Sequence, residues 1–270
     1  MICSVQGPED PRSRDLLMLC TAGPCGCRIA SYFACYHPFP ELAQFWVCYQ
    51  EDIPRCALCS AGGVLTVTDT RPGGALEEEL SAFFDFHGTP VLREDVSSGV
   101  VWHQTGETLW PFPIMRLEDR SVSAARCALP DGFQAQEPVR LKDAWELVQR
   151  CFGEEAPSQE DFIGDLSHRQ RRGRGAMVLL QTKNGAPVSF AAAAAMTEEA
   201  ALIGSVCTHP DFRRKGVGGC CVAQLLQTLA GHTVYLLRKP GEQEAFYRRL
   251  GFENLPPAKD LPADQGAPDE

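Results

Sequence analysis

The sequence predicts a mixed α/β protein with a mostly antiparallel central sheet flanked by helices, built from two tandem copies of one arrangement. Three observations predict it. Residues 176–208 hold three apolar runs, "AMVLLQT", "PVSFAAAAAM" and "AALIGSVCT", joined by short turns at Lys183-Asn184-Gly185 and Thr197-Glu198-Glu199, which is the pattern of an antiparallel meander. Segments of helical period flank that meander on both sides. The first half repeats the same order of runs more faintly.

Taken in order, "FQAQEPVR" reads as the opening strand of the second half. "LKDAWELVQRCF" follows, with apolar residues at Leu141, Ala144, Trp145, Val148, Cys151 and Phe152, spacings of three and four that mark a helix with one buried face. A second helix starts at Ser158, where Ser-x-x-Asp is a capping signature, and stops at Gly173. The alanine-rich run at 187–196 has helical propensity, but its place between two turn signals makes it a strand. "GGCCVAQLLQTLAG" is a helix, "TVYLLR" a strand rich in branched and aromatic residues, "GEQEAFYRRLG" a short helix and "FEN" the start of a last strand.

In the first half "FWVCYQ", "RCALCSA" and "VLTVTDT" read as three strands, followed by the helix "ALEEELSAFFDFHG" and the strand "TPVLRE". A polar run with a Pro-Asp-Gly turn at 118–132 divides the halves, giving expected domains 1–125 and 126–255. The tail 256–270, proline-rich and acidic, has almost nothing to bury and is expected to be disordered.

Composition narrows the function. A formal net charge of −10 argues against nucleic acid as the main partner, because phosphate binding needs a basic surface. No stretch approaches the roughly 20 apolar residues of a membrane span, and the N-terminus lacks a basic region followed by a long apolar run, so the reading is cytoplasmic. Thirteen cysteines is an odd number, and in such a compartment most read as reduced core residues. The pairs Cys25/Cys27 and Cys56/Cys59 raise zinc as a question. Positions three apart on a strand face opposite sides, and no second pair stands at a zinc spacing, so no metal is expected.

The most informative stretch is "VCTHPDFRRKGVGG", residues 206–219. A strand that turns through glycines into a helix leaves backbone amides pointing outward at the helix start, and the dipole there favours an anion. Arg213, Arg214 and Lys215 add positive charge on an otherwise acidic chain, so the simplest ligand is a diphosphate. Neither the Walker loop nor the dinucleotide fingerprint fits the order Arg213-x-x-Gly216-x-Gly218 after an antiparallel meander.

That order resembles motif A of the GCN5-related N-acetyltransferases (GNAT), Arg/Gln-x-x-Gly-x-Gly/Ala, and "EAFYRRLGFEN" resembles the family's motif B ending, one helix and one strand downstream. The resemblance covers about residues 133–254. It implies an N-acetyltransferase that moves an acetyl group from acetyl-CoA to an amine by direct attack in a ternary complex. The amides around Arg213, Arg214, Lys215, Gly216, Val217, Gly218 and Gly219 would hold the pyrophosphate of coenzyme A. The backbone at Val206, Cys207 and Thr208 would pair with the pantetheine arm. Tyr247 would sit near the thioester sulfur as general acid or hydrogen-bond donor to the departing thiolate.

Two family features are missing. The strand "AALIGSV" carries no carboxylate, which leaves the base open among Asp161, Asp165, His168, His209 and Glu253, and Pro240 stands where an Asn is frequent. The basic run 168–174 reads first as a solvated helix end. At the matching place the first half reads "TDTRPGGALEEELSAFF", and three carboxylates, Glu77, Glu78 and Glu79, would repel a diphosphate. That half therefore resembles a degenerate GNAT-like domain, with a non-homologous α/β cap as the alternative. Two other functions stay open: a non-catalytic acyl-CoA-binding sensor, and a transferase using a donor such as aminoacyl-tRNA. The partners expected are acetyl-CoA and an amine.

Overall fold

A computed structural model describes residues 1–68, 75–95, 98–118 and 128–255. The first half runs β1 (Ile2–Val5), α1 (Ser13–Leu19), α2 (Gly23–Tyr36), β2 (Ala43–Gln50), β3 (Ile53–Ala61), β4 (Val64–Val67), α3 (Ala75–His87), β5 (Val91–Asp95), β6 (Val100–Thr105) and β7 (Thr108–Leu117). The second runs β8 (Phe133–Ala135), α4 (Leu141–Phe152), α5 (Gln159–Arg171), β9 (Met177–Thr182), β10 (Pro187–Met196), β11 (Ala200–Thr208), α6 (Val217–Thr228), β12 (Thr233–Leu237), α7 (Glu244–Arg249) and β13 (Glu253–Asn254). Strand, two helices, three strands, helix and strand recur in both halves. The sequence reading located each second-half element and the run from β2 to β5. Of the predicted opening strand only Phe133–Ala135 pairs. The division at 125/126 and the tail 256–270 lie outside the described residues.

All the described strands join one sheet of order β1-β2-β3-β4-β5-β6-β7-β12-β11-β10-β9-β8, with β13 paired to β7. Pairing is antiparallel except for β4–β5 and β11–β12. Those two parallel pairs follow from chain order, since a helix, α3 or α6, crosses over between the partners.

Strand β7 joins the halves. Its first part, Thr108–Pro113, pairs with β6, whereas its second part lies between β12 (Ile114↔Leu237, Leu117↔Val234) and β13 (Met115↔Asn254, Arg116↔Glu253). A strand of the first half thus occupies a lane inside the second half's sheet. Alternation then sends Met115 and Leu117 into the core under α6, with Ala191, Ile203, Val217, Leu225, Leu236 and Phe252. Ile114 faces the other way, with Val101, Leu202, Tyr235 and the Cys25 and Cys27 side chains of α2.

Helix α2 adds a second junction. Its Ser31 hydroxyl accepts from the Met196 amide at 3.1 Å, and its Tyr36 hydroxyl donates to Asp165 on α5 at 2.6 Å. Tyr36 stacks on His168 at 4.9 Å, and His168 Nε2 meets the Cys35 carbonyl at 3.0 Å. Arg169 is buried there, pairing with Asp165 and donating to the Ala194 carbonyl. Ala194 is an extra residue on β10 relative to β11, a bulge that frees its carbonyl from the ladder. The reading of the basic run 168–174 is therefore corrected in part: His168 and Arg169 belong to the interface between halves, whereas Arg171 and Arg172 are exposed as a solvated helix end, and Arg174 pairs with Glu198 at 3.4 Å.

The cysteine pairs are packing residues. Cys56 and Cys59 fall in different clusters on opposite faces of β3, as alternation requires, and Cys25 and Cys27 of α2 pack onto the sheet with Val101, Ile114 and Leu202. Burial pushes Cys27 and Cys59 up to about 12. No helix among the described residues is long and apolar enough to cross a membrane.

Met115 is fully buried between the halves, so Met115→Ala should cost about 2–5 kcal/mol. Because β7 pairs with strands of both halves, urea unfolding followed by tryptophan fluorescence and by circular dichroism should shift together. A shift confined to one of two separated transitions would show that the halves are independent.

Candidate active site

The site forms where β11 and β12 part. They pair in parallel only over Ala200↔Thr233 to Ile203↔Leu236. Beyond Ile203, β11 continues to Thr208, still hydrogen-bonded to β10, while β12 ends at Leu237. Between the pairs Ala192↔Gly204 and Phe190↔Cys207, Ser205 and Val206 stand opposite the single residue Ala191. This is a bulge, with Ser205 at φ 53°, and it increases the local twist that carries β11 away from β12. Among the described residues no strand pairs with the β12-facing edge of Gly204–Thr208. A slot one strand wide results.

The slot leads to the glycine loop. After Thr208 come a 3₁₀ turn (Pro210–Phe212), then Arg213 in extended conformation, and α6 opening at Val217 with Gly216 as N-cap at φ 81°. That left-handed conformation is why Gly216 is required. Gly218 is required for a different reason, since a Cβ there would stand 2.7 Å from the Thr208 hydroxyl oxygen. That hydroxyl is fixed in turn by Ser189 at 2.9 Å.

No side chain caps α6, and the first intrahelical bond is donated by Cys220 to Gly216. The amides of Val217, Gly218 and Gly219 therefore have no protein acceptor among the described residues, and a Cβ added at Gly216 or Gly219 meets nothing within 4 Å. Arg213, Arg214, Lys215 and Gly216 are exposed. Arg213 Nε donates to the Thr208 carbonyl at 3.1 Å, and the Lys215 ammonium lies 5.1 Å from the centre of the Phe212 ring. Three free amides, a helix dipole and three exposed cations fit a diphosphate, and the slot beyond them fits an extended amide-bearing chain.

Sequence-predicted residues meet here. Val206 and Tyr247 share the α6-side cluster with Val217, while Cys207 turns to the opposite face among Val148, Phe162 and Phe190. Cys207 thus contributes backbone and packing, and burial pushes its thiol up. Tyr247 is 5% exposed, in edge contact with Phe246 and Phe252, and burial pushes its phenol up to about 12. Arg238, at the end of β12, bonds Glu244 at 2.6 Å; Glu244 also takes Arg248 at 2.7 Å and Asn254 at 3.0 Å. This network anchors the first turn of α7, and so Tyr247.

The candidate bases scatter. Asp165 and His168 are committed to the interface with α2, Asp161 accepts from Ser158 at 2.7 Å, and His209 Nε2 faces the Arg150 guanidinium at 2.8 Å. Glu253 lies exposed on β13, separated from the slot by β7 and β12. In the first half, Glu77 is held by Arg93 (2.5 and 2.8 Å) and Glu79 by the N-terminal amine (2.6 Å). Arg71, Gly73 and Gly74 lie outside the described residues. The bulge at Ser205 and the bank formed by β7 escaped the sequence reading. No residue type marks a bulge, but Pro111 and Pro113 signal a strand with an unusual edge.

Comparison with known proteins accords with this geometry. Residues 170–254 match the family model described as acetyltransferase (GNAT) domain. The whole chain has the fold of tandem GNAT proteins. A tandem GNAT protein from the clavulanic acid biosynthesis pathway aligns with 94% of this chain and 95% of its own at TM-score 0.60 and 15% identity. A Drosophila protein aligns over 94% and 95% at 0.61 and 13%, and a GCN5-related N-acetyltransferase from Sphaerobacter thermophilus over 79% and 77% at 0.57 and 15%. No curated protein sequence matches.

A buried phenol shifted upward stays neutral in the fold after its unfolded counterpart, near 10, has ionised. The stability held by Tyr247 is therefore intact below pH 10 and lost as pH rises toward 12. The urea midpoint should fall above pH 10, and less steeply in Tyr247→Phe. Equal slopes would mean that the phenol is not buried.

Proposed function

We propose that the second half, residues 126–255 completed by β7, is an acyl-CoA-dependent N-acyltransferase that moves an acetyl group to a primary amine. The observation that carries this reading is the unpaired edge of β11, running without interruption into the free amides of α6. Bound coenzyme supplies the acyl thioester. The amides of Val217, Gly218 and Gly219, with Arg213, Arg214 and Lys215, hold the diphosphate. Val206, Cys207 and Thr208 offer backbone groups to the pantetheine arm.

In the reaction the neutral amine's nitrogen bonds to the thioester carbonyl carbon as the carbon–sulfur bond breaks, and the amine's proton passes to solvent. Tyr247 donates a hydrogen bond to the sulfur as it gains charge. Its phenol, raised to about 12, is too weak an acid to give its proton fully to a thiolate of conjugate pKa about 8.5, so its contribution is electrostatic. The neutral donor form persists throughout the physiological range.

The first half is proposed as a non-binding partner domain. Glu77, Glu78 and Glu79 put negative charge at the start of α3, and the Arg93 guanidinium is already taken by Glu77, which leaves it less available to a diphosphate. The sensor reading retains one supporting observation: β11 carries no carboxylate to accept the amine proton.

Calorimetric titration with acetyl-CoA should give one equivalent per chain, and Gly216→Asp, which strains φ 81° and sets a carboxylate against the diphosphate, should abolish it. Absence of binding in the native chain would overturn the coenzyme reading. Tyr247→Phe should lower kcat about tenfold or more with the acetyl-CoA Kd unchanged. Intact binding with no thiol release from any amine would instead favour the sensor.

A further inference from the structure

Backbone pairing for a chain lying in the slot comes mainly from one side. The far side is β7, the neighbour of β12. Ile114 turns its amide away from the slot to the Gly99 carbonyl at 2.8 Å, and the Pro113 carbonyl accepts from the Arg238 amide at 3.3 Å, so odd-numbered residues of β7 face the slot. At 111 and 113 these are prolines, which carry no amide hydrogen. The edge of β11 therefore supplies the amides, and its position matters.

The last turn of α4 holds that edge through three contacts. Arg150 faces His209 Nε2, just past Thr208, at 2.8 Å, and Cys151 packs against the cluster that contains Cys207. Glu155, in the 3₁₀ turn that follows α4, meets the Lys239 ammonium, two residues past the end of β12, at 3.9 Å. One helix end thus touches both sides of the lane, and a shift of that end relative to β11 changes the lane.

The middle contact carries chemistry. Val148 and Cys151, three apart, share the packed face of α4, and Cys207 meets that face beside Phe162 and Phe190. The Cys151 and Cys207 thiols are in hydrogen-bonding contact. Cys48 and Cys56 form a comparable pair, directly opposite each other on β2 and β3, but both are fully buried. In the α4–β11 pair Cys207 is buried and Cys151 only half-buried. An oxidant from solvent meets Cys151 first, with Cys207 directly behind it.

We propose that Cys151 and Cys207 are a peroxide-sensitive thiol pair whose disulfide locks α4 onto β11 and weakens coenzyme binding. The Cys151 sulfur bonds to one peroxide oxygen as the O–O bond breaks, giving a sulfenic acid and water. The Cys207 sulfur then bonds to the Cys151 sulfur, the S–O bond breaks, and the hydroxyl leaves with the Cys207 proton as a second water. Two thiols are oxidised and one peroxide is reduced. Burial keeps Cys207 protonated and away from peroxide, and its contact with Cys151 brings it the sulfenic acid. The covalent bond draws the sulfurs inside their contact distance, pulls β11 toward α4 by about 1–2 Å and takes Val206–Thr208 out of line with the pantetheine arm. The effect on coenzyme rests on the acyltransferase reading; the disulfide itself does not.

The test is to treat the full-length chain with hydrogen peroxide, block the remaining thiols with an alkylating reagent and map its peptides without reduction, titrating free coenzyme A calorimetrically before and after. A cross-linked Cys151–Cys207 peptide should appear, the coenzyme Kd should rise about tenfold, and dithiothreitol should reverse both. Cys151→Ser should bind coenzyme as the reduced native chain does and keep that affinity after peroxide. Oxidation of Cys151 without the cross-link, or a coenzyme Kd unchanged in the cross-linked chain, would overturn the inference. An equal rise of Kd in Cys151→Ser would do the same, because other cysteines would then be responsible. Failure of the reduced chain to bind coenzyme A would remove the acyltransferase reading and the switch with it, leaving the disulfide to stand or fall by the peptide map.

Discussion

Strand β7 pairs with strands of both halves, and most of the architecture depends on that. A sheet edge left open exposes unpaired amides and carbonyls, and the lane between β12 and β13 would leave two such edges if empty. The first half fills the lane with Ile114–Leu117 and places Met115 and Leu117 under α6. The second half cannot close its core from its own residues. This gives the first half a structural role of its own: it completes the other half's fold whether or not it binds a ligand.

The second junction, through α2, has a different character. Here the contact is polar and half-buried, with the two terminal nitrogens of the buried Arg169 met by the Ala194 carbonyl that a bulge on β10 releases and by Asp165, which supplies the countercharge, while its Nε has no hydrogen-bond partner among the described residues. Removing one member of such a set leaves a buried charge unpaired, a larger loss than the set contributes when whole. Arg28 and Arg169 both lie over the Tyr32 ring, at 4.7 and 5.5 Å, so one aromatic side chain of the first half serves cations from both. Closure by β7 is apolar and this network is polar, so the two junctions join the same halves by different interactions.

These two junctions frame the slot. The bulge at Ser205–Val206 parts β11 from β12, and the same β7 that closes the core forms the far bank past Leu237. An edge with free amides on one side and an edge with carbonyls but no proline amides on the other face a common lane. The glycine loop closes one end of that lane with helix amides and three cations. On an acidic chain that local charge has a local cause, since Arg213, Arg214 and Lys215 are exposed and make no ion pair among the described residues.

The sequence by itself determined the local elements and the glycine loop. The Ser158 cap, the periodicity of Leu141–Phe152 and the order Arg213-x-x-Gly216-x-Gly218 depend on neighbours within a few residues, so spacing alone reveals them. The repeat of the first half was legible for the same reason, as apolar runs in a fixed order. It was the tertiary structure that decided where those elements meet. Nothing local to Thr108–Leu117 says that its partners lie more than a hundred residues downstream, or that His168 and Arg169 turn inward onto α2 rather than into solvent. Strand pairing and the neutralisation of buried charge are long-range terms, fixed by which surfaces the whole chain can bury together, and the β7 side of the slot is made from them.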